Sequence, residues 1–483
     1  MASIGSSSGL KTFSNVEDGR KLRGSFAVMT VLFFMWGFMT VFNDILIPRF
    51  KEAFTLDYLH AMLVQSAFFG AYFIGSLTYF IISAIKGDPI AKIGYKNGVV
   101  IGLLLAALGS ALFWPAAGRL SYPLFLAGLF IVGLGFAMLQ IAANPYVTIL
   151  GPERTASSRL NLAQAFNSVG TTIGPLIGGY LIFQYFAKTG AHGSESVKVP
   201  YLAFCVVFMI LAVVFFFIHL PQVGEGRIER GIGALKYPHV QLGVLAIFMY
   251  VGGEVTIGST IISYLGQPGV AGLATVEASK YVSLFWGGML IGRFMGAVEL
   301  SEMKRLNKQL ALVVIPIAGF ILFWFLRSWN SDAKQFDFSD GWNIVKNYLP
   351  LLGLCWLLFQ FGKALAGRTL MIFGMTIVLL LAISMFEGGK MAMWCIVGIG
   401  LFTSIGWPNI FSLALDGMGI YKSQVSSLLV MAILGGALLP PLQGWIADKH
   451  GLQISYIVPL IAYAYVAFYG AFGHRVGRSS NEV

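Results

Sequence analysis

Charge is what this sequence has least of. Only 11% of its 483 residues are Asp, Glu, Lys or Arg, against roughly 25% in a soluble domain. So little charge over so long a chain excludes a soluble globular enzyme with a solvated shell. Cysteine is nearly absent as well. Cys205, Cys355 and Cys395 all fall inside apolar runs and read as small packing residues, not as a disulfide set or a metal site. No phosphate-binding loop, metal-ligand spacing or dinucleotide fingerprint occurs. The text "GSSSG" at 5–9 mimics a hydrolase nucleophile elbow but lacks the strand and helix that would frame one. Alternating ten-residue segments, the mark of a membrane β-barrel, are missing too. What the chain has is hydrophobicity, 57% of its residues. Apolar runs of about 20 residues recur between short loops, the pattern of a polytopic helical membrane protein.

Spans are expected near 25–48, 59–85, 97–117, 122–150, 159–187, 200–220, 239–267, 275–300, 309–327, 346–362, 369–386, 391–415, 423–447 and 453–473. The net charge of +11 comes without basic blocks interleaved with aromatics, so no nucleic-acid partner is expected. Instead the basic residues collect in alternate loops. With Arg20, Lys21, Arg23, Lys86, Arg154, Arg227, Lys304, Arg368, Arg475 and Arg478 on one side, the positive-inside rule puts both termini in the cytoplasm. The expected location is a bacterial inner membrane, with lipid and a small solute as the only partners and a monomer as the unit. No cleavable signal peptide is read at the N-terminus; residues 1–23 form a Ser-rich tail.

The chain repeats itself. "FFMWG" from Phe33 matches "IFMYV" from Ile247, and "FGAYFIGS" from Phe69 matches "WGGMLIGR" from Trp286. "GLGFAMLQIAANP" from Gly133 matches "GIGLFTSIGWPN" from Gly398, and "GTTIGPLIGGYL" from Gly170 matches "GALLPPLQGWI" from Gly436. The later pairs are displaced by roughly 50 residues more than the earlier ones, which is room for two extra helices. Two parallel six-span halves around a central site is a transporter architecture. The expected organisation is a tail at 1–23, a six-helix bundle at 24–220, a linker at 221–238, a second bundle at 239–474 with an inserted pair within 301–368, and a tail at 475–483. The inserted pair is expected to be peripheral scaffold facing lipid. Glycines four apart, such as Gly174 and Gly178, suit close helix packing.

Ionisable groups inside spans point to function. Asn43 and Asp44 interrupt the first apolar run, and Glu254 the seventh. A cation bound at a buried Asp44, either a proton or sodium, would make the site neutral, which is how an ion gradient can drive a change of shape. Arg293 stands near the inner end of its span and suggests a gate, with Glu302 or Asp416 as a partner, or else a snorkelling side chain. Gln65, Gln140, Asn144, Gln164, Asn167 and Asn409 supply amide donors and acceptors suited to a polyhydroxylated solute. Gln140 and Asn144 share a helix face, as do Gln164 and Asn167. Trp36, Tyr72, Trp286 and Trp407 offer faces for sugar C–H surfaces, although core packing accounts for many such aromatics.

The stretches "NDILIPRF" (43–50), "AANPYVTILGPE" (142–153), "RLNLAQAFNSVGTTIGP" (159–175), "GRFMG" (292–296) and "WPNIFSLAL" (407–415) resemble the major facilitator superfamily, in its fucose–galactose–glucose:cation symporter branch. The resemblance implies the major facilitator fold: two six-helix bundles related by a pseudo-twofold axis, here with two inserted helices. It implies that Asp44 acts in coupling and sugar binding, and it maps the branch's "AQ.FN" asparagine onto Asn167. The fucose–proton type carries a Glu two residues before "AANP", where this chain has Gln140, a group that cannot release a proton. With Glu254 in the seventh span, the pattern resembles the glucose/galactose members, some of them sodium-coupled. The expected function is therefore cation-coupled hexose import by alternating access, with sodium favoured over the proton and no cofactor. Asp44, Glu254 and Asn43 would serve the ion. Gln65, Gln140, Asn144, Gln164, Asn167, Trp286 and Asn409 would serve the sugar, and Arg293 the gate. A carrier of another solute, including a fucose–proton symporter or an exporter, is the alternative; a membrane enzyme or sensor lacks an output domain or a catalytic motif.

Overall fold

The computed structural model describes residues 16–86, 89–150, 156–185, 193–218, 233–299, 303–330, 335–418 and 422–477. The first half contains α1 (Val16–Ala53), α2 (Leu63–Lys86), α3 (Tyr95–Ala111), α4 (Tyr122–Ile149), α5 (Ala156–Tyr180) and α6 (Lys198–Phe217). The second contains α7 (Pro238–Leu265), α8 (Thr275–Glu299), α9 (Arg305–Ser328), α10 (Phe338–Gly362), α11 (Ala366–Phe386) and α12 (Gly389–Leu415). It closes with α13, which runs through Lys422–Met431, Ala432–Leu434 and Gly435–His450, and with α14 (Ile457–Ala471). Among the described residues, thirteen of these helices are long and apolar enough to cross a membrane. The exception is α5, whose buried Gln164, Asn167, Ser168, Thr171 and Thr172 dilute its hydropathy. The chain is an all-α membrane protein with the helix number that its hydrophobic runs imply.

Three boundaries differ from the sequence expectation. Helix α1 starts at Val16, inside the segment read as a tail. Helix α10 begins at Phe338, eight residues before the span expected from 346, because Asp337 caps it through the amides of Ser339 and Asp340. Helix α12 breaks at Ser404–Ile405. Its Pro408 has no N–H to donate one turn back, so the Ser404 carbonyl is left free. Most of the expected 221–238 linker and the end of the C-terminal tail lie outside the described residues.

The halves meet along two seams, α2 on α13 and α5 on α8. Within the first half α1 lies close against α5. Gly37 permits this, because a Cβ there would collide with the backbone carbonyl of Asn167. Between α9 and α10 a two-residue hairpin, β1 (Trp329–Asn330) and β2 (Gln335–Phe336), pairs antiparallel. One face of α9, with Leu306, Leu310, Val314, Ile317 and Ile321, is exposed, as a lipid-facing helix requires.

Candidate functional site

Where the seams converge, the helices enclose a cavity of about 120 Å³. That is below the roughly 300–1,000 Å³ of drug-sized pockets and fits a small polar solute. From the first half, α1 contributes Trp36, Thr40 and Val41, and α2 contributes Gln65, Phe69 and Tyr72. Gln140 comes from α4, and Gln164, Asn167 and Thr171 from α5. From the second half, α7 contributes Tyr250, Val251, Glu254 and Val255, and α8 contributes Trp286, Met289 and Arg293. Trp407 of α12 and Ile433 of α13 complete the wall. The two halves thus lend equivalent helices, α1, α2, α4 and α5 against α7, α8, α12 and α13.

The chemistry is divided between the halves. The first half offers amides, several of them steered by a neighbour. Asn167 Nδ2 donates to the Phe33 carbonyl of α1 (3.0 Å), and Asn144 Nδ2 donates to Gln140 Oε1 (3.4 Å). Trp36 Nε1 donates to the Tyr72 hydroxyl (3.2 Å). The described charge lies in the second half. Tyr250 donates its hydroxyl hydrogen to the Thr403 carbonyl (3.0 Å), beside the break in α12. Glu254, one turn along α7, lies within hydrogen-bonding reach of the same hydroxyl, and its Oε2 is buried without a hydrogen-bond partner. Trp286 Nε1 is a second cavity-wall polar atom without one. A buried polar atom left unpaired costs about 1–3 kcal/mol, more if charged, so both are positions where a solute or an ion gains by binding.

Arg293 crosses between the halves. Its Nε donates to the Ser404 carbonyl freed by Pro408 (3.4 Å). Its Nη1 donates to the Gln164 carbonyl (3.2 Å) and to Ser168 Oγ (2.6 Å). It is 7% exposed, so it does not snorkel, and its charge reaches Glu254 through space. Of the partners considered from sequence, Asp416 is exposed and Glu302 lies outside the described residues.

The remaining expected site residues separate. Gln65, Gln140, Gln164, Asn167, Trp286, Glu254 and Arg293 come together around the cavity. Asn144 stands behind Gln140. Asn409 is not part of the wall; its Nδ2 donates to the Ala366 carbonyl at the start of α11 (3.2 Å), which ties two helices. Asn43 and Asp44 lie on α1, with side chains outside the described residues. The residue reading missed Tyr250 and Met289. Both were visible in the repeat, since Tyr250 aligns with Trp36 and Met289 with Tyr72, and all four line the cavity.

One end of the cavity is closed by hydrogen bonds between halves. Gln65 Nε2 donates to Ser259 Oγ (2.9 Å) and Ser66 Oγ to the Ala437 carbonyl (2.8 Å). Beyond them, Asp448 in the last turn of α13 accepts from the backbone amides of Tyr58 (3.3 Å) and Leu59 (3.1 Å). A carboxylate is disfavoured at the end of its own helix; here it gains by capping the short helix Tyr58–Ala61. Asp57 caps the same turn through the His60 amide (2.7 Å), a bond that holds its carboxyl below the usual range. Replacing Asp448 by Ala is expected to loosen this closure by about 1 kcal/mol, so that Ser263→Cys, in the vestibule beside Tyr58, labels about fivefold faster. The measurement is the rate of reaction with a membrane-impermeant thiol reagent.

Comparison with known proteins agrees with this arrangement. The Major Facilitator Superfamily model matches residues 25–362, well over half the chain. This chain belongs to the major facilitator superfamily. A glucose/galactose transporter of Brucella abortus biovar 1 (strain 9-941) is 40% identical over 452 residues, which is 92% of this chain and 93% of that protein. The L-fucose-proton symporter of Escherichia coli (strain K12) is 29% identical, covering 92% of each chain. Two solved structures of FucP, the E. coli fucose:proton symporter, one in the outward conformation, superpose with a TM-score of 0.64 at 28% identity, covering 94% of this chain and 99% of that one. The superfamily's two-bundle fold accounts for the paired helices around the cavity, and the chain is a membrane transporter, not an enzyme.

Proposed function

We propose that this transporter imports an aldohexose of the glucose/galactose class together with a proton, by alternating access around the described cavity. The observation that carries this reading is Glu254 Oε2, buried in the cavity wall without a donor. A proton needs only one such oxygen. Sodium needs a cage of oxygens, and the Gln140 oxygen is already bonded to Asn144. The sequence favoured sodium because Gln140 cannot release a proton; Glu254 supplies the releasing group from the opposite half, and a relative named a proton symporter argues the same way. Asp44 would share the coupling from α1. Amides of the first half would hold sugar hydroxyls, and Trp286 would give both a ring face and an N–H. The cavity is built by one chain, which supports a monomer, and loop charge supports cytoplasmic termini.

The test is uptake of radiolabelled glucose and galactose into proteoliposomes with an imposed proton gradient, a sodium gradient or neither. Saturable accumulation driven by the proton gradient alone is expected. Accumulation driven by sodium alone overturns the ion, and absence of saturable uptake of either hexose overturns the sugar.

A further inference from the structure

Helices α9 and α10 are the inserted pair, and their outer face fits the expectation of lipid-facing scaffold. Their inner face does something else. Three consecutive residues of α8 point to three different neighbours. Trp286 lines the cavity. Gly287 abuts the Phe323 ring of α9, and Gly288 abuts the hydroxyl of Tyr348, in the 3-10 step of α10; a Cβ at either glycine would collide with those groups. Tyr348 is fully buried, and its hydroxyl donates to the Leu284 carbonyl (3.2 Å), two residues before Trp286. The Phe323 and Tyr348 rings also meet edge to face, 5.7 Å apart, so the pair presses on α8 as one aromatic wedge.

We propose that the inserted pair positions Trp286 in the cavity, with Tyr348 and Phe323 as its positioning residues. The backbone of α8 is gripped from behind at Leu284, Gly287 and Gly288, so the angle at which the Trp286 ring and N–H enter the cavity is set from outside it. The consequence for solute choice rests on the sugar reading above. The grip itself does not.

The experiment has two arms. In proteoliposomes, Tyr348→Phe removes one hydrogen bond and nothing else of size. The half-saturating hexose concentration is expected to rise about three- to tenfold, with a shifted glucose-to-galactose preference and an unchanged maximal rate per folded molecule. Ile317→Ala, on the exposed face of the same pair, is expected to change none of these. A purely structural role would lower the amount of folded protein and the maximal rate and leave half-saturation and preference alone; that result overturns the proposal. In the second arm, Trp286→Cys is labelled with a small thiol reagent without sugar, in a background with Cys205, Cys355 and Cys395 replaced by Ala. Adding Tyr348→Phe is expected to change the labelling rate about threefold or more; an unchanged rate overturns the proposal even if wild type transports no hexose. Should Tyr348→Phe fail to fold, Phe323→Leu carries both arms.

Discussion

Replacing Glu254 by Gln is expected to reduce concentrative uptake to simple equilibration while sugar exchange continues. Gln keeps the size of the side chain and one oxygen acceptor, and it resembles the neutral acid. What it loses is the ability to change charge. If the carrier reorients only when Glu254 is neutral, the variant is held permanently in the state that can reorient. Sugar then moves in both directions without cost or gain from the ion. The accumulation ratio under a proton gradient should fall to about 1, while counterflow of preloaded hexose stays within about threefold of wild type, the effect of one altered hydrogen bond. Both are read from the same proteoliposome preparation. Wild-type accumulation by this variant would remove Glu254 from the coupling step and leave that role to Asp44.

Arg293→Met should be the most damaging single change. It deletes the donor to Ser404, Gln164 and Ser168 across two halves of the molecule, and it leaves Glu254 without the nearby positive charge. Breaking a buried charge arrangement from one side costs about 3–5 kcal/mol, and a loss of that size in the closed state corresponds to uptake lower by more than about a hundredfold. Thermal unfolding in detergent and initial uptake rates measure the two consequences separately. Arg293→Lys is expected to recover little, because a single ammonium cannot reach three acceptors arranged around a planar fork. Ser168→Ala removes only one acceptor and should cost about 1 kcal/mol.

Much of this was readable from the chain itself. Helix number follows from apolar run length, since a bilayer sets that length. The repeat placed Trp36 opposite Tyr250 and Phe69 opposite Trp286, and those residues share one cavity. The amides of α4 and α5 were recognisable because polar groups are costly in such helices. What could not be read were contacts made to backbone. Arg293 binds two main-chain carbonyls, and main-chain acceptors leave no trace in residue type. Pro408 was plain in "GWPN", but the carbonyl it frees gains meaning only through an arginine 111 positions earlier. Asn409 resembled a solute ligand by composition, and only the path of α11 gives its amide another partner. The wedge of Phe323 and Tyr348 was hidden because a lipid-facing helix and a helix pressed against α8 are equally apolar in one-dimensional text.

The manner in which Arg293 holds α5 has an evolutionary corollary. At position 164 the bridge is to the peptide oxygen, so the side chain there is free to drift. A lineage could exchange Gln164 for another cavity-lining group and alter its diet of monosaccharides without untying the clasp that joins the bundles. Ser168 has no such liberty, because its own hydroxyl is part of the knot.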